Sequence, residues 1–104
     1  LRLVRDFIND YLGNEIRLEE LATLTNSSPS HFTKQFKRST GLPPHQYLIQ
    51  QRVERAKELL SAAELSIAEV SQVVGFFDQS HLVRHFKYWV GVTPKDYRDS
   101  KLKN

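Results

Sequence analysis

The sequence predicts an all-α protein of seven helices, arranged as two related units joined by one long central helix. Three observations predict it. Apolar residues recur at helical spacing along the chain, and no stretch alternates as a strand does. Helix-start residues (Ser28-Pro29, Pro43-Pro44, Ser66, Asp78, Thr93-Pro94) and helix-stop residues (Gly13, Asn26, Gly41, Gly75, Gly91) punctuate the chain at short intervals. Finally, residues 30–48 (SHFTKQFKRSTGLPPHQYL) return 50 positions later as residues 80–98 (SHLVRHFKYWVGVTPKDYR). Ser30/Ser80, His31/His81, Phe36/Phe86, Lys37/Lys87, Gly41/Gly91, Pro44/Pro94 and Tyr47/Tyr97 are identical, and Phe32/Leu82, Lys34/Arg84 and Leu42/Val92 keep their character. An ungapped match of this kind marks one supersecondary unit used twice.

The elements follow in order. Residues 1–12 place Leu3, Val4, Phe7, Ile8, Tyr11 and Leu12 at helical spacing, and Gly13 and Asn14 suit the helix end. A second helix runs from Leu18 through LEELATLT, with Leu18, Leu21, Ala22 and Leu24 on one side; Asn26 closes it by adopting the left-handed conformation. Ser28 caps a third helix with Pro29 at its first position, where a missing N–H costs nothing, and Gly41 ends it after Thr40. Pro43-Pro44 opens the long helix, residues 44–61, with Tyr47, Leu48, Val53, Ala56, Leu59 and Leu60 apolar and Arg52, Glu54, Arg55, Lys57 and Glu58 on a solvated face. Ser66 and Glu69 form a capping box for a fifth helix, which Gly75 closes in the role of Asn26. Asp78 caps a sixth helix, residues 79–90, ended by Gly91. Thr93-Pro94 starts a seventh through about Ser100, and the tail KLKN is expected to fray.

Composition narrows the function. The 104 residues carry a net charge of +3 with no cysteine and no methionine. Without cysteine there are no disulfides, thiolate metal sites or cysteine nucleophiles, which fits a reducing compartment. No apolar run approaches the roughly 18 residues that cross a membrane. The missing initiator residue points to a piece of a longer protein, expected to be its C-terminal part. No acidic residue lies between Glu20 and Glu54, where Lys34, Lys37, Arg38 and Arg52 fall, or between Asp78 and Asp96, where Arg84, Lys87 and Lys95 fall. Basic stretches that avoid acids are the footprint of a polyanion partner.

In each copy a short helix, a tight turn and a capped second helix follow one another, which is the order of a helix-turn-helix, whose second helix enters a DNA major groove. The two turns differ by one residue, Ser27 against Phe76-Phe77. At 100° per residue with Phe32 at zero, Phe36 falls at about 40°, Lys37 at about 140°, Ser30 at about 160°, Lys34 at about 200° and Arg38 at about 240°. The aromatics therefore bury together and the cations share the other face. The sixth helix repeats this with Leu82, Phe86 and Trp89 inward and Ser80, Arg84 and Lys87 outward. Tyr47 and Tyr97 are placed to pack each following helix start onto its unit.

The stretch GFFDQSHLVRHFKYWVGVTPKDYR (residues 75–98) and the central YLIQQRVERAKELL (residues 47–60) resemble the DNA-binding domain of the AraC/XylS family of bacterial transcription regulators, and the likeness covers nearly the whole chain. The resemblance implies two helix-turn-helix subdomains, residues 1–43 and 62–104, joined by a linker helix over 44–61, with recognition helices 29–40 and 79–90 in successive major-groove segments of double-stranded DNA. It also implies transcription activation, contact with RNA polymerase, a cytoplasmic, nucleoid-associated location in a bacterium, no cofactor, and no catalytic activity. Any dimerisation would fall to an upstream region, leaving the isolated domain monomeric.

Carried over by matching residues, base readers are Ser30, Thr33 and Lys34 in the first unit and Gln79, Ser80, His81 and Arg84 in the second; Val83 stands in the place of Thr33 and can touch a thymine methyl. Arg84 can grip guanine through two hydrogen bonds, Lys34 can do so less rigidly, and Gln79 can pair with adenine. The second helix is therefore expected to discriminate bases more strongly. Lys37, Arg38, Lys87, Lys95 and the capped helix N-termini are the expected phosphate contacts. Phe77 departs from the small or polar residue usual in the family; packing on the turn, touching DNA backbone and meeting a partner all stay open for it.

His81 and His85 are spaced i, i+4, as zinc ligands can be, but the intervening residues lack the glutamate of a hydrolase motif and no metal site is expected. His31 and His45 read as surface or capping residues, and Glu19/Glu20 and Glu54/Glu58 as helix-surface charge. Two other functions fit the same basic faces: a module that binds an acidic protein, and the DNA-binding part of a bifunctional alkyl-transfer repair enzyme whose catalytic cysteine lies elsewhere.

Overall fold

Helices form where the caps and apolar stripes place them. The computed structural model describes residues 1–103, and these hold α1 (Arg2–Asp10), α2 (Leu18–Leu24), α3 (Pro29–Thr40), α4 (Pro44–Leu60), α5 (Ile67–Val73), α6 (Gln79–Val90) and α7 (Pro94–Leu102), with no strand among them. Ser28 Oγ accepts from the His31 N–H at 3.2 Å, Asp78 Oδ1 from the His81 N–H at 2.9 Å and Thr93 Oγ1 from the Asp96 N–H at 3.1 Å. Ser66 and Glu69 close their box at 3.0 and 2.9 Å. Each such cap satisfies a donor that the helix start leaves orphaned. The seventh helix continues through Lys101 and Leu102, past the expected fraying point, whereas Asn104 lies outside the described residues.

Two apolar clusters hold the chain together. Val4, Ile8, Leu21, Ala22, Phe32, Phe36 and Leu48 form one; Ile49, Val53, Ala56, Leu60, Val70, Val74, Phe76, Leu82 and Phe86 form the other. Successive residues of α4, Leu48 and Ile49, thus point into different cores. The stripe of α1 is narrower than its sequence promises: Val4 and Ile8 are buried, whereas Leu3 and Tyr11 are exposed. Leu18 likewise faces solvent.

Both helix-turn-helix turns close the same way. The Ser27 N–H donates to the Ala22 carbonyl at 3.0 Å, and the Phe76 N–H to the Ser71 carbonyl at 2.9 Å. Left-handed residues precede both donors, Asn26 at φ 54° and Gly75 at φ 96°. The residue that lengthens the second turn is therefore Phe77, downstream of the closure.

Two corrections concern how the units dock. Arg52 is not on a solvated face. It is half-buried; its Nε donates to the Leu12 carbonyl at 3.0 Å and an Nη to the Asn14 carbonyl at 2.9 Å, which ties α4 to the chain leaving α1. Arg98 does the same one unit later, donating to the carbonyls of Leu60 at 3.1 Å and Ala62 at 3.2 Å. Gly13, expected to stop α1, has no left-handed φ. Its need is space: a Cβ there would collide with the carbonyl oxygen of Val73 at the end of α5. A Cβ on Gly75 would lie 2.9 Å from both the Arg52 guanidinium and the Leu12 carbonyl oxygen. The first loop, α4 and the second turn therefore meet around Arg52.

Gly91 tests this by contrast, since it has φ 93° but open space around its Cα. Gly91→Ala should cost only the left-handed strain, about 1–2 kcal/mol. Gly75→Ala should cost at least about 1 kcal/mol more, from the added collision. Urea denaturation of the two variants checks it; equal losses would mean that the Arg52 guanidinium and the Leu12 carbonyl both yield without penalty.

Candidate nucleic-acid interface

Matched anchors fix the outward face of each second helix. Phe32 and Phe36 are fully buried with ring centroids 5.5 Å apart, and Tyr47 meets Phe36 edge-on at 5.2 Å and 78°. In the second unit Leu82 and Phe86 are fully buried, and Tyr97 meets Phe86 edge-on at 5.4 Å and 72°. Trp89 is half-buried against the same core. A helix held by two such anchors cannot roll about its axis, so its opposite face is determined.

That face carries most of the expected contact residues. Ser30, Lys34, Lys37 and Arg38 on α3 are exposed, as are Gln79, Ser80, Arg84 and Lys87 on α6 and Lys95 at the start of α7. Thr33, His81 and Val83 sit half-buried at its edges. The Thr33 hydroxyl donates to its own helix at the Pro29 carbonyl, 2.9 Å away, which leaves its lone pairs and methyl for a partner. His81 turns partly inward: its Nδ1 is buried with no hydrogen-bond partner among the described residues, and its ring stands edge-on to Phe76 at 5.9 Å and to His85 at 4.9 Å.

Charge on the face is uncompensated. Ion pairs join Arg17 to Glu15 at 3.7 Å, Arg55 to Glu58 at 3.4 Å and Lys57 to Glu54 at 3.5 Å, all off α3 and α6. Among the described residues none involves Lys34, Lys37, Arg38, Arg84, Lys87 or Lys95. Five of these cations lie on the helices held by the buried anchors and Lys95 opens α7, a set that suits a dense line of negative charge. The described residues contain no group of three side chains placed to hold a metal ion.

Sequence reasoning missed the packing of the histidines. His85 stacks on Phe76 at 5.6 Å and 15°. Burial lowers its pKa, and His81, Arg84 and His45 lower it further by like charge. Arg52 was also missed as a dock; burial pushes its pKa down as well. The His81/His85 spacing was legible in the sequence, but the stack on Phe76 and the dock of Arg52 on the chain leaving α1 depend on how the chain folds back.

The arrangement is a double helix-turn-helix DNA-binding domain. A family model for the helix-turn-helix domain matches residues 21–100. The Msm operon regulatory protein of Streptococcus mutans serotype c is 36% identical over 95 residues, 91% of this chain and 34% of its own length. The chain thus spans about a third of that relative. The C-terminal domain of the two-component response regulator yesN from Fusobacterium nucleatum superposes with a TM-score of 0.85 at 33% identity, covering 93% of this chain and 95% of that one. The DNA-binding domain of AdpA, a global transcriptional factor solved with a target DNA, gives 0.89 at 32% identity, covering 95% and 89%. The chain belongs to the AraC/XylS family of helix-turn-helix transcription regulators, which are DNA-binding proteins and not enzymes.

The lowered pKa of His85 carries a sign. Because the fold favours neutral imidazole, this stabilisation is present above the unfolded value of about 6.5 and is lost as pH falls through the lower folded value. Melting temperature should drop between pH 7 and 5, and His85→Phe, which keeps the stack on Phe76, should flatten that drop. An identical slope in the variant would show that His85 does not titrate across the transition.

Proposed function

We propose that the chain binds double-stranded DNA in a sequence-specific manner, with α3 and α6 in successive major-groove segments. The observation that carries this is the pair of anchored helices with unpaired cations. The dimensions agree: α4 has 17 residues, a rise of about 25 Å. The whole body extends 47 Å along its long axis, which accommodates two reading helices about 34 Å apart, one turn of DNA. Residues 1–43 and 62–104 then serve as the two reading subdomains and residues 44–61 as the helix between them.

Within this reading Ser30, Lys34, Gln79, Ser80 and Arg84 form the centre of the base contact, with Thr33, His81 and Val83 at its edges. Lys37, Arg38, Lys87 and Lys95 hold phosphates. The domain acts as a monomer because one chain carries both readers. Activation, contact with RNA polymerase, dimerisation through an upstream region and a nucleoid-associated cytoplasmic location rest on the family resemblance alone. Among the described residues no helix is long and apolar enough to cross a membrane.

Selection of bound duplexes from a random pool, followed by binding titrations over a range of salt, tests the reading. Arg84→Ala should weaken the selected duplex about tenfold to a hundredfold and leave random duplex nearly unchanged. Lys87→Ala should weaken both alike and make the salt slope shallower by about one unit. A wild-type domain that binds selected and random duplexes equally would overturn sequence-specific recognition.

A further inference from the structure

Phe77 is the one residue by which the second unit exceeds the first between turn closure and N-cap. Its side chain is 87% exposed, so it does not brace the turn that it lengthens. A single exposed ring is ordinary; the position of this one is what matters. One groove is lined by Phe77, Asp78, Ser80, His81 and Arg84. Phe77 and His81 also line a second groove, whose other wall includes His45, Leu48 and Arg52 of α4. His45 and Leu48 in turn line a third, with Thr33 of α3. Because neighbouring grooves share walls, one continuous surface runs from Thr33 over His45 and Phe77 to Arg84. A duplex laid along this surface from α3 to α6 would meet the ring of Phe77.

We propose that Phe77 is an apolar DNA contact, its ring packing on the deoxyribose of the strand that crosses between the two major-groove segments. The proposal rests on the DNA-binding reading above. A backbone strand offers carbon-bound hydrogens of the sugar between its phosphates, and a flat ring covers such a surface well. Ser80 and Arg84 line the same groove as the ring, so a strand whose bases they read lies beside it. Of the two carboxylates nearby, Glu15 is paired with Arg17 at 3.7 Å, and Asp78 is turned to the start of α6, where it accepts from the His81 N–H at 2.9 Å at the positive end of the helix. A contact of this kind displaces water from apolar surface and releases no counterions, so it adds affinity without adding salt dependence.

The test uses the duplex selected from a random pool with the wild-type domain, and the variants Phe77→Ala, Phe77→Leu and Lys87→Ala. Phe77→Ala should raise Kd about tenfold at every salt concentration with an unchanged salt slope, whereas Phe77→Leu should keep most of the affinity. Hydroxyl-radical footprinting should show protected sugars between two protected blocks; Phe77→Ala should lose only those central positions. An unchanged Kd and footprint in Phe77→Ala would overturn the proposal, as would a shallower salt slope. Normal DNA binding with reduced transcription would also overturn it, and would assign the ring to a protein partner. Failure of the DNA-binding reading itself is visible separately, because the wild-type domain would then select no duplex at all.

Discussion

The guanidinium of Arg52 sets how the two halves of this protein sit against each other. It donates to the carbonyls of Leu12 and Asn14 at 3.0 and 2.9 Å, and the backbone of Gly75 closes over it. Three segments far apart in sequence thereby share one polar contact: the chain leaving α1, the middle of α4, and the turn ahead of α6. Hydrogen bonds to charged donors are stronger than neutral ones, and a planar fork meets two carbonyls that a lysine would not span. Arg98 repeats the device on the carbonyls of Leu60 and Ala62, holding α7 against the end of α4. In both places an arginine of the helix that follows a helix-turn-helix grips the carbonyls left unsatisfied near the end of an earlier one.

Duplication explains the rest of the architecture, and divergence explains its use. The anchors agree closely: Tyr47 on Phe36 and Tyr97 on Phe86 differ by 0.2 Å in centroid distance (5.4 less 5.2 Å). Turn closure agrees as well, from Ser27 to Ala22 and from Phe76 to Ser71. Outward positions differ in chemistry, with Lys34 against Arg84 and Pro29 against Gln79. The helix is held the same way twice, and what it presents is changed. Selection on such a unit can alter a few exposed side chains without disturbing the core that orients them.

Much of this was legible in the residues because its causes are local. Ser28, Ser66, Asp78 and Thr93 cap helices through donors three residues away, and Asn26, Gly75 and Gly91 adopt left-handed backbone where a turn demands it. The Phe32–Phe36 pair follows from helical periodicity. What escaped has causes distant in sequence. Arg52 has the pattern of a surface charge, and only the approach of a loop some 40 positions earlier makes it a dock. Gly13 reads as a helix stop, yet it is small because α5 crosses it. Ile49 fell outside the expected apolar side of α4 because a helix between two cores needs a broader buried face than a helix on one. His81 is expected among the base readers from the family resemblance, and the ring of Phe76 draws it partly in.

The adjacency of Leu48 and Ile49, one facing each core, has a consequence for how the protein folds. Neither half can complete its packing without α4, and α4 gains most of its stability from packing against them, since helices in water depend on tertiary contacts. Unfolding one half strips α4 of part of its support and so weakens the other. Two structurally separate cores thus become a single cooperative foldon, and a lesion buried in one helix-turn-helix unit is felt as a loss of order in its twin.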